Sequence, residues 1–453
     1  MNLLTTLTSA VLLGNAALAA PVLAQTRGAL HVFGEVPEVQ AELLNNSFTA
    51  EAPTAEAGPI PVILAQGEMA TLDDNQKAAL ITAYVADFSV VLLQPSIEDI
   101  AALQTLLDVE HIGYSLPTKY TETAAYGLDL EEDGTSHAWA QYGPPPAANT
   151  EPGTADETIA RSVQIWLLMD GFRQFDLDGT LRAQASVGNG AKEDLTDIAK
   201  SFVDQRNWVD ASCSKDKCNN YQLSHFVYAV HALETGEDWF YVQQRGAFNA
   251  SNQYERNWGG AVQDNYMHLI EIDTEIEGFA DNTDGLGLIQ ASPQSDESSR
   301  SVTSSVSFDL AGELSVQTEN IGAKISGGVS ISNSTTVTVE DVTIANNSID
   351  RGNNAKWDYT FAQCNLSCDF VIPLCDNVPT LAKSTFTPMN QWIWRADPVV
   401  RDAHGKMKVK AVTQLNSGSV TLHFFWTCSI NHRSFAKNAF EYTIDLPFPP
   451  IVE

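Results

Sequence analysis

The sequence is poor in positive charge. Its 453 residues hold 25 Lys and Arg against 57 Asp and Glu, which gives a formal net charge of −32. The imbalance is strongest near the start, where the only basic residues among the first 150 are Arg27, Lys77 and Lys119. A surface of this sign repels phosphate groups. The composition therefore excludes nucleic acid as a partner and disfavours anionic lipid headgroups.

Long apolar runs are also missing. The stretch from Leu3 to Leu18 is rich in Leu and Ala, but it is too short to span a bilayer as a helix. Small residues typical of a cleavage site follow it, so we expect residues 1–24 to be a secretory signal peptide. No later apolar run reaches 18 residues. We therefore expect a secreted protein that is soluble when it is made.

Only six cysteines occur, an even number that suits disulfide pairing in an exported protein. Cys213 and Cys218 bracket a short polar loop, and we expect them to pair with each other. The other four can form two bridges whose connectivity stays open: Cys364, Cys368, Cys375 and Cys428. A zinc site built from these four is the alternative, but an oxidising compartment favours disulfides.

Signals for catalysis are weak. The segment Phe175–Leu181, with the sequence FDLDGTL, resembles the phosphatase motif of the haloacid-dehalogenase family. In that family the two positions held here by Asp176 and Asp178 serve as nucleophile and general acid/base. The chemistry also requires a parallel sheet with further Lys and acidic ligands, whereas the chain after Trp208 becomes β-rich. Two Asp before Gly-Thr also suit a turn, so we expect no enzymatic activity and no cofactor.

Two histidines, His225 and His231, fall on one face of a predicted strand. Histidines at such spacing can ligate a metal ion. No third ligand lies nearby in the sequence, so we expect ordinary sheet histidines and no metal.

The N-terminal part predicts a small α/β unit. A buried-type strand at Pro61–Leu64 precedes a helix at Asp73–Asp87, a second strand and a helix that Ser96 caps with Asp99. Strand–helix alternation favours a parallel βαβ arrangement, so residues 25–130 are interpreted as an acidic α/β domain. Residues 131–157 lose periodicity and include a Pro-rich run, so they are interpreted as a linker. Cleavage there would make the first domain a pro-region.

Residues 158–453 predict a β-rich domain, most clearly from Asn220 onward. Seven alternating segments are interpreted as strands: Tyr221–Leu233, Asp238–Val242, Met267–Ile276, Trp357–Phe361, Phe386–Arg395, Met407–Leu415 and Ser419–Trp426. Trp392 and Trp394 share one face, and we expect them in a sandwich core rather than at a membrane interface. The predicted fold is mainly β, with a β-sandwich core and a long amphipathic stem hairpin, preceded by the small α/β module.

The stem hairpin occupies residues 301–340 and alternates between apolar and polar positions. The parity reverses across Thr318-Glu319-Asn320, which is turn chemistry, so both apolar sets can lie on one face. Those predicted to face lipid are Val302, Val306, Phe308, Leu310, Leu314, Val316, Ile321, Ala323, Ile325, Val329, Ile331 and Val337. Three charged residues fall on the other face and are predicted to line a lumen: Asp309, Glu313 and Lys324.

The length of this hairpin favours a special role. Strands of soluble proteins are mostly about 5–6 residues, whereas a strand of about 9–11 tilted residues crosses a bilayer. An isolated hairpin cannot span lipid because its edges stay unpaired, so a pore requires several chains that each donate one hairpin. The alternative is a long ribbon that stays packed on a soluble β-sandwich.

The region from Asn220 to Pro450 resembles the leukocidin/hemolysin family of β-barrel pore-forming toxins, most strongly over Ser301–Phe361. The Ser/Gly/Thr-rich hairpin in mid-chain, the strand at Trp357-Asp358-Tyr359 and the later aromatic strands carry this resemblance. An acidic N-terminal module resembles the pro-region of cytolysins. The resemblance implies secretion as a monomer, homo-oligomer assembly on target-cell membrane lipid or a neutral receptor, and joint insertion of the hairpins. A secreted adhesin-like β-sandwich without pore activity is the alternative.

Overall fold

A computed structural model describes most of the chain after residue 27. The described ranges are 28–51, 59–109, 122–130, 136–143, 155–168, 186–187, 200–209, 220–232, 235–249, 264–279, 285–295, 301–310, 313–316, 323–326, 329–338, 342–349, 352–361, 365–367, 374–376, 385–403, 406–423 and 427–449. The predicted signal peptide, residues 1–24, lies outside these ranges.

The N-terminal part alternates strands and helices, as its sequence predicts. Its elements are β1 (Gly28–Phe33), α1 (Glu38–Ser47), β2 (Phe48–Glu51), β3 (Val62–Leu64), α2 (Asp74–Val85), β4 (Val90–Leu93), α3 (Ile97–Leu106), β5 (Glu122–Leu130), β6 (Ser136–Gly143) and α4 (Ala155–Leu168).

Both helices predicted from the sequence of this unit begin at a capping box. The Asp73 side chain accepts a hydrogen bond from the Gln76 backbone at the start of α2, and Ser96 with Asp99 makes the equivalent pair at α3. These bonds satisfy amides that a helix N-terminus leaves unpaired. Strands β3 and β4 run parallel, which confirms the predicted βαβ arrangement.

The remainder of the chain is almost entirely β. Its elements are β7 (Ser186–Val187), β8 (Lys200–Val209), β9 (Asn220–Ala232), β10 (Glu237–Asn249), β11 (Asp264–Ile276), β12 (Leu286–Ser292), β13 (Ser301–Leu310), β14 (Glu313–Val316), β15 (Ala323–Ser326), β16 (Val329–Thr338), β17 (Val342–Asn346), β18 (Asn354–Phe361), β19 (Asn365–Ser367), β20 (Leu374–Asp376), β21 (Thr385–Phe386), β22 (Met389–Ala396), α5 (Pro398–Ala403), β23 (Lys406–His423) and β24 (Thr427–Pro447). The two strands predicted at Met407–Leu415 and Ser419–Trp426 are therefore wrong: β23 is one strand that passes through a bulge near Leu415.

One large sheet runs through both halves of the protein. Its strand order is β12-β22-β10-β9-β8-β6-β5-β4-β3-β1-β2, so the N-terminal strands extend the same sheet that carries the β-rich half. The junction is a parallel pairing of β6 with β8 from Ser136↔Phe202 to Tyr142↔Trp208. The α/β module is thus an extension of the large sheet.

The interpretation of residues 131–157 as a linker is wrong over 136–143. That stretch is β6, which pairs with β5 on one side and β8 on the other. All of its residues except Ser136 are buried. The Pro-rich run that suggested a linker begins only after Gly143. A strand with neighbours on both sides and buried on both faces carries little amphipathic alternation, which is why its sequence did not reveal it.

The packing of helix α4 shows that the N-terminal unit ends later in the chain than predicted. It packs against α1, β5 and β6, and its Trp166 stacks on Trp139 of β6 with ring centroids 5.2 Å apart. The N-terminal unit therefore extends at least to Leu168, beyond the predicted limit of residue 130. The segment that begins the predicted β-rich domain at residue 158 is helical and belongs to the N-terminal unit.

A smaller sheet packs on the large one and completes a β-sandwich. Its strand order is β17-β18-β11-β23-β24. Trp357 of this sheet meets Trp392 of the large sheet with ring centroids 5.5 Å apart, and both residues are fully buried. Trp394 is buried beside them, which confirms the predicted core placement of Trp392 and Trp394. The predicted mainly β fold with a small N-terminal α/β module is confirmed.

A buried ion pair lies where the N-terminal strands join the sandwich. Asp204 and Arg206 of β8 are both fully buried, with Arg206 Nη2 2.8 Å from Asp204 Oδ1. Arg206 also donates to the Tyr142 hydroxyl of β6 at 2.6 Å and lies over the ring of Tyr442 of β24. Burial raises the pKa of Asp204, although Arg206 opposes the shift. This pair links three strands from three parts of the fold.

Candidate functional site

The stem hairpin forms with a single register. Strands β13 and β16 pair from Ser301↔Thr338 to Leu310↔Val329. The inner strands continue it: Glu313 pairs with Ser326, three steps further along each strand. The predicted turn, Thr318-Glu319-Asn320, lies outside the described ranges, between the residues of the last described pair, Val316↔Ala323.

This register places apolar residues opposite one another at five pairs, Val302↔Val337, Phe308↔Ile331, Leu310↔Val329, Leu314↔Ile325 and Val316↔Ala323. Val306 is instead opposite Asn333. Directly opposite residues of an antiparallel pair lie on the same face. Of the predicted lipid-facing residues, Ile321 lies outside the described ranges, and the others share one face of the paired strands.

The predicted lumen residues fall at the alternate positions. Asp309 is opposite Ser330, Glu313 is opposite Ser326, and Lys324 is opposite Ser315. Because side chains alternate along a strand, these charges lie on the face opposite the apolar positions. Each of them faces a serine across the hairpin.

The hairpin is attached to the body at a few places. Its inner strand β14 joins the large sheet through one residue pair, Leu314↔Ala232 of β9. Its outer strand β16 pairs with the two-residue strand β7. In addition, β13 lies against β22 and β12 at the edge of the large sheet. Ala232 was not among the sequence-predicted site residues, because nothing local marks an alanine at a strand end as an anchor.

The large sheet has two different faces in this region. The inner face, toward the small sheet, carries Phe240, Val242, Trp392 and Trp394. The opposite face carries Tyr241 and Gln243 of β10 with Gln391 and Ile393 of β22; we call these four residues the outer face. All four are buried. The small sheet occupies the inner face, and β13 of the stem hairpin lies against β22 and β12.

The outer face is held together by weak polar contacts. The Tyr241 hydroxyl donates to Gln391 Oε1 at 3.3 Å. Gln243 Nε2 donates to the sulfur of Met389 at 3.0 Å, and a thioether is a weak acceptor. Gln243 Oε1 is buried without a hydrogen-bond partner. Gln243 and Gln391 could have been noticed in the sequence, because each is a polar residue within an aromatic strand. The sequence pattern does not tell which face of the sheet they lie on.

The structure does not bring His225 and His231 together as metal ligands. His225 Nδ1 lies 2.9 Å from the Tyr442 hydroxyl, and its Nε2 lies 2.7 Å from Gln244 Nε2. His231 Nδ1 instead contacts Asp238 Oδ1 at 2.7 Å, and Arg401 donates to the same carboxylate oxygen. No cluster of three or more His, Cys, Asp or Glu suited to a metal ion occurs among the described residues.

Two buried histidines, His225 and His137, are held neutral. Burial lowers the pKa of His225 to about 3, and the neighbouring Arg206 guanidinium adds to the shift. Burial likewise lowers the pKa of His137, in the N-terminal unit, to about 3. Both imidazoles are therefore neutral at physiological pH, and protonating either requires partial unfolding or strong acid.

The predicted disulfide cysteines and the two aspartates of the phosphatase-like motif are only partly described by the structure. Cys213, Cys218, Cys364 and Cys368 lie outside the described ranges, as do Asp176 and Asp178. Cys375 is on β20 opposite Leu366 of β19, and Cys428 is on β24 opposite Leu422. The disulfide pairing therefore stays a prediction. Within the described residues, no helix combines the length and apolar character needed to cross a bilayer.

No protein-family profile matches the chain, and no curated protein is recognisably similar in sequence. Solved structures do align with it. One is a pore forming protein at 12% identity and a TM-score of 0.38, over 59% of this chain and 100% of that chain. A second is the Clostridium perfringens delta-toxin at 11% identity and a TM-score of 0.38, over 58% of this chain and 93% of the toxin.

A third is the Clostridium perfringens NetB toxin in its membrane-inserted form. It aligns at 12% identity and a TM-score of 0.32, over 54% of this chain and 96% of the toxin. Alignments this weak do not assign a function.

Proposed function

We propose that this chain is a secreted pore-forming protein. In the proposal, the hairpin of residues 301–340 leaves the folded body on a target membrane and joins hairpins from other copies in a transmembrane β-barrel. The observation that carries the proposal is the register of the hairpin, which pairs apolar with apolar residues at five positions between Val302↔Val337 and Val316↔Ala323. The three charged residues predicted to line the lumen fall at the alternate positions.

The dimensions suit a membrane. Residues 301–316 form one side of the hairpin, and at about 3.3 Å per residue this side is roughly 50 Å long. The hydrocarbon core of a bilayer is about 30 Å thick. A tilted strand of this length crosses it and leaves residues on both sides. Apolar positions would face lipid, and the alternating Ser, Thr and charged positions would face water in a lumen.

The proposed partners follow from the net charge of the protein and from the need to pair the edges of every hairpin in a closed barrel. A hairpin alone has unpaired edges that lipid cannot hydrate, so the proposed pore is a homo-oligomer. With a net charge of −32, the protein is repelled by anionic headgroups. We therefore propose a zwitterionic lipid surface or a neutral receptor on the target cell as the first contact. The N-terminal unit would be freed as a pro-region only by cleavage after Leu168 and separation of β6 from β8.

A disulfide between the hairpin and the body tests the proposal. Leu314 and Ala232 are directly paired, a distance that cross-strand cysteines can bridge. The double variant Leu314→Cys with Ala232→Cys should form a lock that prevents release of the hairpin. We expect no dye release from phosphatidylcholine vesicles and no lysis of red cells until the lock is reduced.

The controls are the single variant Leu314→Cys and the unaltered protein, each with and without reductant. Dye release by the locked and unreduced protein contradicts the proposal. If the unaltered protein binds cells as a monomer and releases nothing, the alternative of a secreted adhesin with a permanently packed ribbon is favoured.

A further inference from the structure

The N-terminal unit joins the sandwich at the pairing of β6 with β8, which we call the junction. The two strands run parallel through seven residue pairs, from Ser136↔Phe202 to Tyr142↔Trp208. On its other side β8 pairs with β9 over its whole length. Strand β8 is therefore a central strand. It would become an edge strand with unpaired N–H and C=O groups if β6 left.

The junction also satisfies a buried charge. Arg206 of β8 is fully buried, and its Nε donates to Asp204 Oδ2 at 2.9 Å. Its Nη1 donates across the junction to the Tyr142 hydroxyl of β6 at 2.6 Å. Hydrogen bonds to charged groups contribute more than neutral ones, and a buried charge that loses a partner is costly. Departure of the N-terminal unit would leave the guanidinium with one acceptor fewer.

The apolar core is continuous across the junction. Leu128 and Tyr142 of the N-terminal unit belong to the same core as Trp208, Val227 and Tyr442. The rings of Tyr142 and Trp208 stack with centroids 5.7 Å apart, and Trp208 lies 5.5 Å from the ring of Tyr442. Helix α4, at the end of the N-terminal unit, lies against β8 as well. Separation would therefore expose apolar area on both partners, which water disfavours.

We infer that the junction is a permanent interface whose partner is this chain's own N-terminal unit, held even after the backbone between the two is cut. Seven residue pairs, a hydrogen bond from a buried charge and a shared core hold this unit. In contrast, β14 of the stem pairs with the body at one residue pair in the described part of the chain. Cleavage after Leu168 would therefore produce a two-chain protein and would not by itself release a pro-region. This interface does not depend on pore formation.

A protease site between the two units tests the inference in the full chain. A recognition site for a sequence-specific protease is inserted between Thr180 and Leu181, in the stretch that connects α4 to β7. Cleavage is followed to completion on a denaturing gel, and the native product is then passed over a gel-filtration column. We expect both chains to elute together at the position of the uncut protein. Separate elution of the N-terminal chain overturns the inference.

Two variants of the cut protein measure what the bond to Arg206 contributes. The protein is immobilised through a tag on its C-terminal chain, in urea below the unfolding transition, and the N-terminal chain in the wash gives the dissociation rate. Tyr142→Phe removes the hydroxyl that accepts from Arg206, so we expect dissociation to be about tenfold faster. Tyr359→Phe is the matched control, because it removes a buried hydroxyl that donates to Asn390 within the sandwich, and we expect the unaltered rate. Dissociation of Tyr142→Phe at the unaltered rate overturns the role of the bond between Arg206 and Tyr142.

Dye release from phosphatidylcholine vesicles is measured for the cut and uncut proteins and separates this inference from the proposed function. If neither form releases dye from vesicles or red cells, the proposed pore function fails, and gel filtration and the dissociation rates still decide the interface. If the cut protein does release dye, we expect equal amounts of both chains in the vesicle-bound protein. Vesicle-bound protein that has lost the N-terminal chain overturns the inference, although the pore function then stands.

Discussion

Two long hairpins of this protein look alike in sequence and differ in how they are held. Strands β23 and β24 pair over most of residues 406–447, and β11 pairs with β23 from Val409 to Val420. The stem hairpin pairs internally between residues 301 and 338, whereas in the described part of the chain its inner strand β14 pairs with the body at one residue pair. Alternation alone therefore does not distinguish a hairpin that can leave from one that cannot.

The side chains of the β23–β24 hairpin explain its permanence. Met407, Val409 and Ala411 of β23, with Tyr442 and Ile444 of β24, are buried in the core of the sandwich. Removing this hairpin would expose that core and break the pairing with β11. The free energy that holds a hairpin to the body thus depends on the strand that pairs with the hairpin's edge, here β11. The local sequence of the hairpin does not specify that strand.

The largest effect should come from locking the two hairpins in turn. The lock between Leu314 and Ala232 should abolish dye release. An equivalent lock between Thr274 of β11 and Ala411 of β23, which are also directly paired, should leave dye release unchanged. Dye release is measured with and without reductant for both. Loss of release in the Thr274–Ala411 lock would mean that the sandwich itself rearranges during pore formation, and the contrast between the hairpins would fail.

Removing one aromatic residue from each hairpin should affect stability unequally. Tyr442→Ala deletes a buried ring that packs 5.5 Å from Trp208 and contacts His225, so we expect a loss of about 3–5 kcal/mol in the free energy of unfolding. Phe308→Ala in the stem hairpin should cost the body less than about 1 kcal/mol, since few pairings connect the two. Urea unfolding followed by tryptophan fluorescence measures both. Equal losses would show that the stem is as much a part of the core as β24.

Acid should weaken the sandwich that holds β24. The pKa of His225 is about 3 in the folded state and 6.5 ordinarily. Between these values the unfolded chain binds a proton that the folded chain does not, so stability falls as pH falls, by about 1.4 kcal/mol per pH unit from this group.

His225→Gln should remove that contribution and flatten the pH dependence of the unfolding free energy between about pH 6 and pH 4. His137→Gln is a matched control, because burial lowers the pKa of that group equally in a different part of the fold. A slope that neither substitution changes would show that carboxylates alone account for the acid sensitivity.

The smallest effect concerns ion selectivity of the proposed pore. Asp309 and Glu313 outnumber Lys324 on the predicted lumen face, so the channel should mildly prefer cations. The double variant Asp309→Asn with Glu313→Gln should move the reversal potential in a salt gradient toward anion preference, because it leaves Lys324 as the charged lumen position. An anion-selective unaltered channel would contradict the assignment of these faces.

The sequence by itself determined the local features of this protein. Period-two alternation predicted strands such as β9, β10 and β18, the parity reversal at Thr318-Glu319-Asn320 predicted that the two apolar sets of the stem share a face, and capping residues such as Ser96 predicted the starts of helices. These signals are local because backbone geometry fixes which side chains share a face. The shared face of the two apolar sets could be predicted because both strands of the stem carry the pattern.

Only the tertiary structure showed which strands pair and which unit each helix packs against. It showed that residues 136–143 are a strand between β5 and β8, that α4 belongs to the N-terminal unit, and that one sheet runs through both halves of the chain. It also placed Ala232 of β9 opposite Leu314 of the stem. These facts depend on pairing between residues far apart in the chain, and the free energy of such contacts is set by neighbours that no local pattern names.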